Sequence, residues 1–383
     1  MSCSPLKVPP TGPCPTASSL TINPDHPKAA ALQAEMDAAV KAGIPGLSVL
    51  IDDADGTWMG SAGYADIENG IVMQPCHINK LGSVTKMMVG ALVWQLIQDG
   101  KLEISTPIST YIPEVASQLP NGAQITLAQL LNHTAGVFDI AGDLNFNLAV
   151  VNDLSRSWTE EEILKFIEGK EAVHAPGEEV SYSNTHTLLV GLIIESVTGR
   201  QHGELLQERI FDPLGMSNTV YYDYLDDFPL EHVAQGYLDF NNDGGDIQNI
   251  SALNPASGNG YTGVYSTVED LYKFMNALLR EKTLTTPENL DYIFTTFQGQ
   301  EDEERYSYPC NAGFFNEFRD ILSAEKPAYG HSGGDIGYAA NLNYLPQNNT
   351  VFAATYNYGL NLPSPLRARV VETMQNLIQI IAE

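Results

Sequence analysis

Apolar and polar positions alternate near both ends of the chain, a spacing typical of strands with one buried face. Four segments read as strands, two towards each end: 46–53, 57–66, 338–345 and 350–358. Asp55-Gly56 separates the first pair and Asn348-Asn349 separates the second, and both dipeptides favour the tight turn of a hairpin. The pattern therefore predicts one antiparallel hairpin near each end of the chain.

Elsewhere, apolar residues recur with helical spacing, and capping residues or glycines mark the helix ends. The predicted helices are one over 27–42, one that follows Gly82 and ends at Gly100, one opened by Thr126–Gln129, one from Thr159–Glu162 to Gly169, one over 184–199, one capped by Ser266–Glu269 and one begun by Ser364-Pro365. The helix after Ser266 has one apolar face, formed by Leu271, Phe274, Met275, Leu278 and Leu279. Such a face indicates core packing, not a cofactor site.

Strands at both ends with helices between them predict an α+β fold, in which an antiparallel sheet is flanked by helices. We expect residues 25–85 and 256–383 to form an α/β lobe that contains this sheet. Residues 86–255 are expected to form a mainly helical lobe, and residues 1–24, rich in Pro, Ser and Thr, a flexible leader. The cleft between two such lobes is the usual place for a small-molecule site.

The chain is strongly acidic because basic residues are scarce. Its 383 residues include 47 Asp and Glu against 19 Lys and Arg, a formal net charge of −28. Such a surface repels nucleic acid and anionic lipid, so we predict no nucleic-acid partner. A salty or cold habitat and simple solubility both explain the acidity. No run of about 18 apolar residues occurs, so no membrane span is expected. The oligomeric state is left open.

Cysteine usage bears on the compartment. The four cysteines, Cys3, Cys14, Cys76 and Cys310, match no zinc spacing, and we predict neither a metal nor a cofactor. A Cys76–Cys310 disulfide is compatible with an oxidising compartment. Cys3 follows Met1-Ser2 and resembles the lipid-bearing first residue of a mature bacterial lipoprotein. We expect a periplasmic or extracellular protein, with lipid anchoring through Cys3 as one alternative and a cytoplasmic location as another.

Residues 330–334, GHSGG, place Ser332 in the Gly-x-Ser-x-Gly spacing of a hydrolase nucleophile elbow. That elbow requires a histidine later in the chain, whereas the last histidine here is His331. A chymotrypsin-like arrangement allows this order, but that fold consists of β-barrels and the present chain has many helical segments. Ser332 is therefore not expected to be the nucleophile.

A serine activated by a lysine is the other candidate. The S-x-x-K pattern occurs at Ser4–Lys7, Ser83–Lys86 and Ser323–Lys326. Only Ser83 begins a long apolar helix, and one helical turn puts the Lys86 amine on the same face as the Ser83 hydroxyl. Alternatively, Ser83 caps the helix and Lys86 points to water. Tyr182 lies two residues before Asn184, at the start of another helix. Tyr182 is either a reactive phenol or an ordinary core tyrosine beside the helix cap Asn184.

Taken together, SVTK at 83–86, YSN at 182–184 and HSG at 331–333 resemble the three ordered motifs of the serine β-lactamase and penicillin-binding-protein family. The resemblance is to the branch of class C β-lactamases, D-alanyl-D-alanine carboxypeptidases, D-aminopeptidases and class VIII esterases. It covers residues 27–383 and includes the phrases LLNHTAG at 130–136, PLGMSNT at 213–219 and STVEDLYKFMNALL at 266–279. It implies a β-lactamase/transpeptidase-like fold.

The resemblance also implies acyl transfer, in which Ser83 attacks a carbonyl carbon and water later releases the acid. Lys86 and Tyr182 are both candidates for the base, and the sequence leaves that choice open. The oxyanion is expected between the backbone N–H groups of Ser83 and Gly334. Asn184 is expected to orient Lys86 and a substrate amide.

His331 replaces the lysine of the family's third motif, and Ser332 and Gly333 are expected beside it on an edge strand that lines the cleft. This His form is similar to the D-stereospecific peptidases of the branch. The leading hypothesis is therefore a β-lactamase-related D-stereospecific peptidase or carboxypeptidase. A class VIII-type esterase acting on small esters and a non-catalytic penicillin-binding sensor are the alternatives.

Three further residues are weaker candidates. His133, in LLNHTAG, is expected to be a structural loop residue. Arg367 and Arg369 are candidates for binding a substrate carboxylate, or else they are solvated helix residues. No H-E-x-x-H spacing is present, which disfavours a metal hydrolase.

Overall fold

The computed structural model describes residues 9–14, 18–153, 156–222, 228, 230–252, 259–295, 308–318, 320–323, 326–360 and 362–383. Helices α1 to α11 span, in chain order, Ala29–Lys41, Thr85–Gln98, Pro113–Gln118, Leu127–Leu131, Leu144–Asn152, Glu160–Ile167, Asn184–Thr198, His202–Leu206, Val268–Met275, Pro287–Ile293 and Pro365–Ala382. A 3-10 turn over Gly82–Val84 leads directly into α2. π-helical turns over Gln207–Phe211 and Asn276–Arg280 extend α8 and α9.

Strands β1 to β13 span, in chain order, Gly46–Asp53, Gly56–Asp66, Ile71–Val72, Asn79–Lys80, Val220–Tyr221, Tyr237–Leu238, Gln248–Asn249, Val264–Ser266, Tyr308–Pro309, Phe315–Glu317, Ala328–Asp335, Tyr338–Leu345 and Thr350–Tyr356. Within the described residues, eight of them form one sheet in the order β3-β2-β1-β13-β12-β11-β10-β9. The two terminal hairpins meet where β1 pairs antiparallel with β13 and Leu47 lies opposite Tyr356. The predicted antiparallel sheet built from both ends of the chain is confirmed.

Helices cover both faces of this sheet because its central strands carry apolar side chains on both faces. Leu47, Val49 and Ile51 of β1 pack in one core cluster with α1 and α11. Leu50 packs on the other face with α2, α7 and α9. Every residue of α2 from Thr85 to Trp94 is buried, so the turn that precedes it is held by a helix inside the core.

Most predicted helix ends are confirmed. Thr126 and Thr159 each form a capping box, and the Ser364 side chain accepts the N–H of Arg367 at the start of α11. The predicted cap at Ser266 is wrong: Ser266 ends β8, and Thr267 caps α9 by accepting the N–H of Asp270. The shift by one residue arises because Ser266 is needed for the pairing of β8 with β4.

The Cys76–Cys310 disulfide, which the sequence left as a possibility, is absent from the described residues. Cys76 is bonded to Cys14, whereas Cys310 is completely buried in the core beside β10. The order of the sheet explains the difference, because Cys310 follows β9 at one edge and Cys76 follows β3 at the opposite edge. Cys3 lies outside the described residues. In the described part of the chain, no helix is both long enough and apolar enough to cross a bilayer.

Candidate active site

Ser83 lies in the 3-10 turn before α2, and the backbone of this turn is in direct contact with β11. A Cβ atom on Gly82 would lie 2.6 Å from the carbonyl oxygen of Gly334, and one on Gly333 would lie 1.9 Å from the carbonyl oxygen of Leu81. Only glycine permits this approach of backbone to backbone, and Gly82 also has a positive φ of 53°. The serine turn and the third motif are thereby held in direct contact.

Lys86 is buried, with 1% of its surface exposed, one helical turn after Ser83. Its Nζ lies 2.9 Å from Ser83 Oγ, 2.9 Å from Asn184 Oδ1 and 2.8 Å from the carbonyl oxygen of Tyr261. The last two atoms can only accept hydrogen bonds. A neutral amine that donates to both of them keeps its lone pair for the proton of the Ser83 hydroxyl. The alternative in which Lys86 points to water is wrong.

Tyr182 also contacts the side chains of Ser83 and Lys86. Its hydroxyl lies 2.8 Å from Ser83 Oγ, and Lys86 Nζ lies 5.1 Å from the centre of its ring. A nearby cation stabilises a phenolate, and a phenolate can accept the serine proton as an amine can. The geometry thus supplies two acceptors for one proton, and both belong to one coupled group.

Asn184 is oriented by Asp139, a residue that the motifs do not include. Asp139 Oδ1 accepts the backbone N–H of Asn184 at 2.9 Å and its side-chain Nδ2 at 3.3 Å. The amide group can therefore present only its oxygen to Lys86. Asp139 lies three residues after Gly136 in the LLNHTAG segment, but spacing alone does not link it to Asn184, which is 45 residues away.

The third motif lies on β11, which is not the edge strand predicted. β10 pairs with its first residues, 328–330, and the half that carries His331, Ser332, Gly333 and Gly334 extends beyond β10 to line the cleft. The centre of the His331 ring lies 6.0 Å from that of Tyr182. His331 Nδ1 lies 2.6 Å from the carbonyl oxygen of Ser332, so this nitrogen carries the proton. Ser332 Oγ accepts a hydrogen bond from Asn341 at 2.7 Å.

A cleft of about 480 Å³ opens at Ser83. One part of its lining is apolar: Ile140, Phe146, Val150, Phe315 and Phe318. Another part is acidic: Glu317, Asp320 and Asp335. Arg367 of α11 also lines the cleft, whereas Arg369 forms an ion pair with Glu372 at 2.8 Å. Ser323 and Lys326, the other described S-x-x-K pair, are both exposed and are not among the lining residues.

A model of the beta-lactamase family matches residues 29–371. The chain belongs to the beta-lactamase family. Protein flp of Staphylococcus aureus (strain MW2) is 31% identical over 200 residues, which are 51% of this chain but only 38% of that relative. The match thus spans less than half the length of that relative.

Two solved structures are similar to this beta-lactamase-family chain over nearly their whole length. A D-stereospecific amidohydrolase from Streptomyces sp. has a TM-score of 0.76 and 26% identity, with 91% of this chain and 98% of that chain covered. A D-amino acid amidase from Ochrobactrum anthropi SV3, complexed with L-phenylalanine amide, has a TM-score of 0.80 and 25% identity, with 92% and 98% covered. The predicted β-lactamase/transpeptidase-like fold is confirmed.

Behind the three family motifs, a chain of hydrogen bonds ends at the backbone next to Tyr261, whose carbonyl oxygen accepts from Lys86. The N–H of Gly260 donates to the Tyr221 hydroxyl at 2.9 Å, and that hydroxyl lies 2.6 Å from His202 Nε2. His202 Nδ1 lies 2.8 Å from Glu195. Tyr221 and His202 are both buried. This chain, named here the Tyr221 network, anchors the backbone at Gly260, one residue before Tyr261, whose carbonyl oxygen accepts from Lys86.

A pair of buried histidines supports the Tyr182 ring. The His133 and Tyr182 rings lie 4.6 Å apart, and His133 Nδ1 lies 3.1 Å from His186 Nδ1. His186 Nε2 accepts the N–H of Val137 at 3.3 Å, so the proton of this neutral ring is on Nδ1. Burial, reinforced by the charge of His174, lowers the pKa of His186 to about 3. His133 thus packs against the site from a loop.

Proposed function

We propose that this protein is a serine hydrolase that forms an acyl-enzyme on Ser83 and cleaves amides or peptides of D-amino acids. The observation that carries the proposal is the contact of Ser83 Oγ with both Lys86 Nζ, at 2.9 Å, and the Tyr182 hydroxyl, at 2.8 Å. A serine hydroxyl becomes a nucleophile when an adjacent base removes its proton, and two such bases are in reach.

The proposed reaction has two steps. Ser83 Oγ bonds to the substrate carbonyl carbon while its proton passes to the Lys86–Tyr182 pair, and the N–H groups of Ser83 and Gly334 stabilise the oxyanion. The bond from carbon to the leaving nitrogen then breaks, and this nitrogen takes the proton from the same pair. Water attacks the resulting ester, gives up a proton to the pair and releases the acid as Ser83 regains its hydrogen.

Three features of the cleft support an amino-acid derivative as substrate. The apolar lining, which includes Phe146 and Phe315, suits an apolar side chain. The acidic lining, which includes Asp320 and Asp335, suits a positively charged amino group. Arg367 offers the one cationic group of the described lining, and a free carboxylate is its natural partner. The names of the two similar structures support D-stereospecificity.

The disulfide supports a location outside the cytoplasm. Bonds such as that between Cys14 and Cys76 persist in the periplasm and outside the cell, whereas cytosolic thiols are kept reduced. We therefore propose a periplasmic or extracellular enzyme.

Ser83→Ala tests the proposal. Its matched control is Ser323→Ala, which changes the exposed serine of the other described S-x-x-K pair. D-phenylalanine amide, a D-Ala-D-Ala peptide, nitrocefin and p-nitrophenyl butyrate are offered to both variants and to the wild type. We expect Ser83→Ala to lose activity by about 1,000-fold or more on every substrate turned over, with Ser323→Ala unchanged. A Ser83→Ala protein as active as the control would overturn the assignment, and the rank order of substrates separates amidase, carboxypeptidase, β-lactamase and esterase.

A further inference from the structure

We propose that residues 239–246, here named the calcium loop, bind one Ca²⁺ ion with a structural role. The loop reads DFNNDGGD and joins β6 to β7. It is separate from the cleft, since none of its residues is among those that line it. The proposal therefore stands independently of the reaction proposed for Ser83.

The loop places oxygen-bearing side chains at the spacing of a calcium-binding turn. Asp239, Asn241 and Asp243 occupy positions 1, 3 and 5, and Gly244 occupies position 6, where such turns require glycine. Gly244 has a φ of 76°, and its N–H donates to Asp239 Oδ2 at 2.8 Å. Asp243 Oδ1 accepts the N–H groups of Gly245, at 2.9 Å, and Asp246, at 3.3 Å, so the carboxylates at positions 1 and 5 each bond to the backbone of the loop through one oxygen.

A second and independent observation points to a cation. Asp239 has none of its surface exposed, and its buried Oδ1 accepts no hydrogen bond from the residues that the structure describes. In the described part of the chain, no Lys or Arg forms an ion pair with this carboxylate. A buried carboxylate oxygen without a partner is costly, and buried charges are normally paired or coordinate a metal. A cation held by Oδ1 removes that cost.

The donor set favours Ca²⁺ over other metals. All the side-chain donors are oxygen atoms, and Gly245 at position 7 can add a backbone carbonyl oxygen, a combination that Ca²⁺ accepts in irregular geometry. Mg²⁺ demands a near-ideal octahedron and gives up its water reluctantly. Position 12 departs from the EF-hand pattern, because Ile250 stands there and is buried. With one bidentate ligand fewer, we expect a dissociation constant of about 0.1–1 mM, the range of extracellular modules.

The place of the loop explains what the ion would do. The N–H of Tyr237, in β6, donates to the carbonyl oxygens of Gly337 and Asn357, so this hairpin packs on the ends of the sheet. A Cβ atom on Gly244 would lie 3.4 Å from Pro365, the first residue of α11. A bound ion would thus secure the contact between the β6–β7 hairpin and the start of α11.

The experiment titrates EDTA-treated, full-length protein with CaCl₂ while its melting midpoint is recorded, with MgCl₂ and NaCl at matched ionic strength as references. We expect 10 mM CaCl₂ to raise the midpoint by about 2–5 °C, because an ion that binds only the folded state stabilises it. TbCl₃, followed by luminescence excited through nearby tyrosines, should bind with one-to-one stoichiometry and be displaced by CaCl₂.

Variants locate the site. Asp243→Ala removes an exposed ligand and should abolish both the rise of the melting midpoint with CaCl₂ and the terbium luminescence. Asp239→Asn should reduce both of these responses at least 10-fold. The control is Asp55→Asn, which removes one exposed carboxylate from the cluster of His26, Asp53 and Asp55 on the β1–β2 hairpin. It should respond to CaCl₂ as the wild type does. A wild-type response in Asp243→Ala, an equal shift with MgCl₂, or no shift at all overturns the proposal.

Discussion

At the scale of single residues, His186 shows how burial sets a protonation state. The imidazole is completely buried, and its hydrogen bonds to Val137 and His133 need a neutral ring. The folded-state pKa of about 3 lies well below the ordinary value of 6.5. Since the His133 ring packs on Tyr182, the neutral state of His186 is also a condition for the geometry of the candidate site.

The first prediction is a pH dependence of stability. Between pH 6.5 and about 3 the unfolded chain binds a proton at residue 186 that the folded chain does not bind. The contribution of the neutral His186 ring to the free energy of unfolding is therefore complete above pH 6.5 and is lost as the pH falls. Relative to pH 7.5, we expect wild type to lose about 2 kcal/mol more than His186→Gln by pH 5, because Gln does not titrate. Urea unfolding at several pH values measures this difference, and parallel curves would contradict it.

At the scale of elements, the Tyr221 network joins α7, α8 and β5 to Gly260, the residue before Tyr261, whose carbonyl oxygen accepts from Lys86. Tyr221 belongs to β5, His202 begins α8 and Glu195 lies in α7. On the other side, Thr262 donates to Asp335, at the end of β11, at 2.9 Å. The Tyr261 carbonyl is therefore held between two separate elements, which fixes the direction in which the Lys86 amine points.

The second prediction concerns Tyr221→Phe. The change leaves the Gly260 N–H and His202 Nε2 without their shared partner, so stability should fall by about 1–3 kcal/mol. A shifted Tyr261 carbonyl should also lower kcat/KM by about 10-fold and displace its pH profile, because this carbonyl oxygen accepts a hydrogen bond from the Lys86 amine. Steady-state kinetics across pH on the best substrate of the panel measures both effects.

The matched control is Tyr237→Phe. Its hydroxyl also accepts a backbone N–H, that of Ile67 at 2.8 Å, and lies 2.6 Å from a carboxylate oxygen of Glu68. These bonds are to residues 67 and 68, whereas Tyr221 bonds to the segment that carries Tyr261. A similar loss of stability with unchanged kcat/KM and pH profile is expected. If both variants behaved alike in kinetics, Tyr221 would have a structural role only.

At the scale of the whole molecule, the Cys14–Cys76 disulfide ties the start of the chain to the loop between β3 and β4. The two cysteines are 62 residues apart in sequence. Closing a loop of this length restricts the unfolded chain, and the entropy model gives about 4 kcal/mol of stabilisation as an upper figure. The bond therefore acts on the first part of the chain and leaves the β11 region untouched.

The third prediction is that reduction destabilises the protein without changing the chemistry at Ser83. Dithiothreitol, or Cys14→Ser, should lower the free energy of unfolding by about 2–4 kcal/mol. Cys14→Ser should then show no further response to dithiothreitol, while the specific activity of the folded protein stays within about twofold of wild type. Denaturant melts with and without reductant give the comparison. An unchanged melt would show that the bond contributes nothing to stability.

Much of the local structure could be predicted because it depends on neighbouring residues. Hairpin dipeptides, capping boxes at Thr126 and Thr159, and apolar periodicity place the strands and helices. The order of the three motifs likewise indicated the family, and the structure brings Ser83, Lys86 and Tyr182 into contact. Their catalytic roles, and the division into two lobes, stay predictions.

The sequence by itself therefore determined the two terminal hairpins, the main helices, the fold class and the family, since each rests on patterns within short segments or on motif order. Only the tertiary structure decided the partner of Cys76, the pairing of β10 with β11, and the bonds from Asp139 to Asn184 and from Tyr221 to Gly260. Those contacts join residues 11 to 62 positions apart, and no local propensity encodes which distant groups will meet when the chain closes around its core.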